Sequence, residues 1–106
     1  IAHGGAVMSL LDTALGARAL MHAVSQKRAT STVEMKVNFL RPAPIGQTLV
    51  TTTTIQSAGR SLLVVSGSAL DEATGKPIAF AVGTFNLYTP GDITQRMQQS
   101  ATPDKA

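Results

Sequence analysis

The spacing of apolar positions along the chain predicts one helix followed by four strands. Val7, Leu10, Leu11, Ala14, Ala17 and Met21 recur at helical spacing over residues 6–23, with Gly4 and Gly5 just ahead and no proline inside. The other side of that helix carries Ser9, Asp12, Thr13 and Gly16. A solvated helix face is usually rich in Lys and Glu. One made of small side chains is expected to pack against something, so this helix should be covered on both sides. Over residues 30–40 the period becomes two. Ser31, Val33, Met35, Val37 and Phe39 alternate with Thr30, Thr32, Glu34, Lys36 and Asn38, the pattern of a half-buried strand. The Arg41-Pro42-Ala43-Pro44 run ends it, because proline cannot continue a ladder.

Residues 47–56 are rich in Thr and Val and read as a second strand. Residues 61–70, centred on Leu62, Leu63, Val64 and Val65, form a third, and residues 78–87 a fourth. Ser57-Ala58-Gly59-Arg60 is a turn, and residues 71–76 are a hairpin loop with Gly75 where left-handed backbone is needed. A helix followed by strands on hairpin-length links predicts an α+β fold, one long helix on an antiparallel sheet. The expected domain covers residues 1–88. Residues 89–106, polar and carrying Pro90, Gly91 and Pro103, read as a tail.

Composition removes several function classes. The absence of cysteine excludes disulfides and thiolate chemistry. His3 and His22 are the only histidines and no carboxylate cluster accompanies them, so no metal is expected. No apolar run approaches a membrane span and no signal-peptide pattern is present, so a cytoplasmic protein is the expectation. The net charge of +3 comes from nine scattered basic residues, Arg18, Lys27, Arg28, Lys36, Arg41, Arg60 and Lys76 among them, and aromatics make up only 4%. That disfavours a nucleic-acid surface but suits a small polyanionic ligand. A charged fraction of 14% is low and points to surface covered by a second copy. The chain opens at Ile1, directly on a His-Gly-Gly turn, and a further segment is expected to precede it.

His3-Gly4-Gly5, then six residues, then Asp12, within HGGAVMSLLDTALGARAL, resembles the signature of the hotdog-fold thioesterases, in particular the phenylacetate-degradation-related group. TSTVEMKVNFLRPAPIGQTL resembles that family's strand and FLRPA segment, and Gly59-Arg60-Ser61-Leu62 its Gly-Arg turn. Ile78-Ala79-Phe80-Ala81 and Gly83-Thr84-Phe85 resemble its final hairpin, so the resemblance runs from Ile1 to about Tyr88. It implies a hotdog fold, a long helix wrapped by an antiparallel sheet, with the family's usual N-terminal strand and upstream polar residue missing from this sequence. It also implies an acyl-CoA thioesterase that needs no cofactor and works as a homodimer or homotetramer with sites shared between protomers.

Thioester hydrolysis needs an attacking group, donors for the developing oxyanion and a grip on CoA. Gly4 and Gly5 stand at the positive end of the helix, where a carbonyl oxygen can approach closely. The resemblance assigns the oxyanion N–H to Gly4, and both glycines could equally serve only as an entry turn. Asp12 is the only acidic residue of the helix, among small neighbours. The resemblance makes it nucleophile or general base, and the bland reading is a solvated Asp or a partner of Arg18. The resemblance also implies that Thr32 orients the attacking water, from the strand's polar face, although a Thr in a strand needs no functional reason. His3 orients the turn or simply builds it. Gly59, Arg60 and Arg41 are candidates for CoA contact, or solvated loop residues. His22 is given no chemistry.

The helical rise puts Gly4 and Asp12, eight residues apart, about 12 Å from each other. One carbonyl cannot touch both on one chain, so a shared site requires two subunits, and a twofold interface is expected. Other readings are a non-catalytic acyl-CoA-binding module, a hotdog hydratase or dehydratase, and a purely structural dimer module. His3 belongs to the glycine turn, which disfavours the hydratase.

Overall fold

The structure, a computed structural model, describes residues 4–43 and 45–89. His3, Pro44 and residues 90–106, most of the expected tail, lie outside the described residues. A helix, α1 (Gly4–Ser25), is followed by β1 (Ala29–Phe39), β2 (Leu49–Ala58), β3 (Leu62–Asp71) and β4 (Pro77–Tyr88). The strands form one antiparallel sheet in the order β1-β4-β3-β2, so β1 and β2 are its edges. Element types and order are those expected, with boundaries moved by one or two residues.

Local chemistry closes each connection. At the end of α1, Lys27 takes a left-handed conformation (φ 56°), and the N–H groups of Lys27 and Arg28 donate to Val24 O (2.9 Å) and Ala23 O (2.8 Å). This is a Schellman cap with Lys where glycine is usual. Between β3 and β4, Asp71 Oδ1 accepts from Ala73 N (3.0 Å), Gly75 N donates to Asp71 O (2.7 Å), and Gly75 has φ 71°.

The core lies between α1 and one face of the sheet. From the helix it takes Val7, Leu11, Leu15, Ala19 and Ala23, and from the strands Leu63, Val65, Ala69, Ala79, Ala81, Phe85 and Leu87. The expected stripe holds for Val7 and Leu11 and fails further on. Leu10 and Ala14 are half-buried, Ala17 is exposed and Met21 is 67% exposed. The buried line advances in steps of four, and each step turns about 40° around the axis because four residues exceed one turn. A helix lying across a twisted sheet buries such a rotating line, whereas a fixed-face pattern assumes a flat surface.

Leu15 sits at the closest approach of helix and sheet. A Cβ built on Gly67 would stand 2.6 Å from Leu15 Cδ1 and 2.8 Å from the backbone oxygen of Thr52; one on Gly83 would stand 3.4 Å from Leu15 Cδ2. The two glycines, on neighbouring strands, make the hollow that receives Leu15. Gly67→Ala should therefore destabilise the protein by about 1–3 kcal/mol, because the Thr52 carbonyl is part of a ladder and cannot yield. Urea unfolding at constant m-value would measure it, and an unchanged midpoint would refute the packing.

Candidate functional site

Asp12 lies on the flank of α1, beside the buried line. Met8, one helical turn earlier, shares that flank, since residues four apart are neighbours. Arg18, six positions on, does not, which argues against the ion pair considered for Asp12. Met8, Ser9, Asp12 and Met35 together line a cleft of about 260 Å³ between helix and β1. In the single chain Asp12 is exposed, as are Ser9 and Thr13, so the small-residue face expected to be covered is open within one protomer.

Thr32, exposed and outside the cleft lining, comes to the helix side of β1 through an irregularity that the alternation did not reveal. Thr32 pairs with Phe85 and Glu34 with Thr84, leaving Val33 as the extra residue of a β-bulge. One extra residue flips the side-chain alternation. Directly opposed residues share a face, and Phe85, Gly83 and Ala81 face the helix. Thr32, Met35 and Val37 are then consecutive helix-side positions. Thr32 was expected on the polar face opposite Met35; the bulge puts both on the same face, about 7 Å apart along the strand. Val33, expected inside, is 54% exposed.

The other candidates fall into two groups at opposite ends. Gly4 opens α1, and its N–H has no carbonyl four residues back within the helix. Gly5 follows it inside the same first turn. Arg41 N donates to Ile78 O (3.3 Å), at the far end of the sheet from the turn holding Gly59 and Arg60. That turn is closed by Gly59 N donating to Leu62 O (2.8 Å). It neighbours the other end of α1, because Leu87 N donates to Ser61 O (2.8 Å) and Arg28 Nη2 donates to Leu87 O (2.9 Å). Arg41 and Arg60, both exposed, are therefore roughly 30 Å apart along the strands. Asp12 stands about 20 Å along the axis from the end of α1 that Arg60 neighbours.

Sequence reasoning put Ser9 on the same side of the helix as Asp12 and missed Met8 and Met35 as its companions. The i−4 spacing of Met8 was a usable signal, whereas Met35 becomes a neighbour only through the fold. Among the described residues no group of three or more His, Cys, Asp or Glu could hold a metal ion, and no helix is long and apolar enough to cross a membrane.

The sequence model of the thioesterase superfamily matches residues 1–78. Among solved structures, the BH2602 protein of Bacillus halodurans, determined with CoA, superposes with a TM-score of 0.73 at 26% identity, over 82% of this chain and 56% of that one. The PaaI protein of the E. coli phenylacetic acid degradation operon gives 0.70 at 28%, over 79% and 57%. Zebrafish thioesterase superfamily member 2 gives 0.69 at 24%, over 79% and 59%, a likeness of fold alone. The chain thus spans little more than half the length of these proteins. No curated protein matches it. The helix and four-stranded sheet are those of the hotdog fold, without a strand ahead of the helix among the described residues.

Proposed function

The chain belongs to the thioesterase superfamily, and from that premise we propose that it is an acyl-CoA thioesterase in which Asp12 is the catalytic carboxylate. The observation that carries this reading is the placement of Asp12 on the wall of an otherwise mostly apolar cleft, with Thr32 one helix-side position beyond Met35. The CoA in the Bacillus halodurans relative supports a CoA ester as the ligand.

In this reading the thioester carbonyl enters the cleft. Asp12 either attacks the carbonyl carbon or takes a proton from the attacking water, which the Thr32 hydroxyl orients. On either route the C–S bond breaks, one water is consumed, and a carboxylic acid and the CoA thiol leave. The oxyanion is met by Gly4 N–H at the positive end of α1, with His3 orienting the turn. Gly4 lies about 12 Å along the axis from Asp12 of the same helix, so the donor belongs to a second protomer lying across the small-residue face. The open face of Ser9, Thr13 and Gly16 suits that packing. Since Arg41 and Arg60 occupy opposite ends of a protomer, the CoA phosphates engage one of them from each subunit.

Hydrolysis of a panel of CoA esters, followed by released thiol, tests the assignment. Asp12→Asn should lower kcat on the order of a hundredfold or more with fold and assembly intact. Turnover indifferent to this change would leave Asp12 a surface residue and favour a CoA-ester-binding module. Thr32→Val keeps the strand and removes one hydrogen bond, so kcat should fall roughly tenfold.

Subunit mixing addresses the shared site. Asp12→Asn and Gly4→Val, each inactive alone, should regain activity when co-refolded, because each mixed dimer carries one intact site. Absence of recovery despite mixed dimers, or a stable monomer at micromolar concentration, would overturn the shared site and remove Gly4 as the oxyanion donor for Asp12.

A further inference from the structure

β1 is an edge of the sheet, so one side of its backbone has no strand beside it among the described residues. Native edges are commonly blunted by charges, Lys above all, which repel a second copy of the same edge. The β1 edge differs, because it carries one charge of each sign. Glu34 and Lys36 lie on the same face of the strand, the one turned away from the helix. Both are exposed, and the residues opposite them on β4 are Thr84 and Val82, so β4 offers neither a counter-charge.

A twofold axis perpendicular to the sheet would pair two copies of β1 antiparallel and leave both helices on one side. Directly opposed residues share a face, so few registers are open to the regular stretch from Glu34 to Phe39. With Glu34 at the centre two glutamates meet, and with Lys36 at the centre two lysines do; both are unfavourable. Centres beyond Lys36 put Glu34 past the end of the partner strand. With Met35 at the centre, Glu34 stands opposite the partner's Lys36, and Lys36 opposite the partner's Glu34. The edge is self-complementary in that register alone.

The same axis bears on the site. Met35 lines a cleft with Met8, Ser9 and Asp12, so an axis through Met35 passes beside that part of α1. The rotation reverses the helix and carries the partner's first helical turn, with the partner's Gly4, toward Asp12.

We propose that β1 is the dimer seam, pairing with β1 of a second copy of this chain about an axis through Met35, in the register set by Glu34 and Lys36. Its use in catalysis rests on the thioesterase reading; its register rests on charge and strand pairing alone.

Sedimentation equilibrium of the full chain gives the dimer Kd. Glu34→Lys and Lys36→Glu each set like charges opposite one another twice, and each should weaken the dimer on the order of tenfold or more. The double swap, Glu34→Lys with Lys36→Glu, restores both pairs and should bring Kd back to within roughly threefold of wild type. Mixed together, the two single variants should form heterodimers in preference to either homodimer, since every opposed pair then has opposite signs. Met35→Cys should give a disulfide-linked dimer on mild oxidation, whereas Val37→Cys, about 13 Å from its mate along the strand, should not. The chain has no cysteine to interfere. Circular dichroism verifies that each variant is folded. A Kd that ignores the single swaps, a double swap no tighter than either single, or a wild-type monomer at micromolar concentration overturns the seam. Hydrolysis of CoA esters is scored separately. A charge-registered dimer that hydrolyses none of them keeps the seam and ends the thioesterase reading; hydrolysis by a protein whose assembly ignores the swaps does the reverse.

Discussion

The packing of Leu15 into the hollow over Gly67 and Gly83 is the constraint on which the rest of the site depends. Helix and sheet meet there with no side chain between them on two adjacent strands, and a single added carbon at Gly67 would collide with both Leu15 and the Thr52 carbonyl. A contact that tight fixes the height of α1 above the sheet and its rotation about its own axis. Asp12 lies three residues before Leu15, so the same contact decides that it emerges exposed on the flank that shares a cleft with Met35 rather than toward the core. A shallower seat would roll the helix and move the carboxylate with it.

The second determinant is the bulge at Val33. An uninterrupted β1 would present Thr32 on the outer face, away from the helix. The extra residue turns the N-terminal part of the strand over, so that Thr32 and Met35 are successive positions on the helix side. Because β1 is an edge strand, this irregularity disturbs only one ladder, the one with β4. β2, the other edge, carries an irregularity of its own, where Gln56 drops out of the pairing and donates through Nε2 to Ser66 Oγ (2.7 Å). Each edge strand thus departs from regular pairing, and the central pair β3 and β4 does so only near its end, between Ala69 and Leu70.

One flank of α1 therefore combines features that a well-solvated helix lacks: a carboxylate, small residues on its open side, and two methionines within the same cleft. Folding alone does not require an exposed carboxylate and two methionines around one open cleft. That arrangement is what a reaction at an acyl carbon requires, since the acyl tail needs apolar contact while its carbonyl needs a nucleophile or base.

The sequence by itself determined the order of elements, the hairpin with Gly75, and the family. These are encoded by near neighbours: period-2 and helical alternation, turn residues at fixed offsets, and the His3-Gly4-Gly5 to Asp12 spacing within one helix. It also singled out Asp12, because one acid among small residues is conspicuous without any structure. Only the tertiary structure decided which helix positions are buried beyond Leu11, since that depends on the twist of a sheet the helix lies across. It likewise decided the face of Thr32, because a bulge is defined by the partner strand and not by the bulged one. The pairing of Met8 with Met35 and the separation of Arg41 from Arg60 also emerged only there, since residues far apart in the chain are brought together or held apart by the sheet's strand order. Short-range patterns fix the elements, and long-range packing fixes which side chains meet.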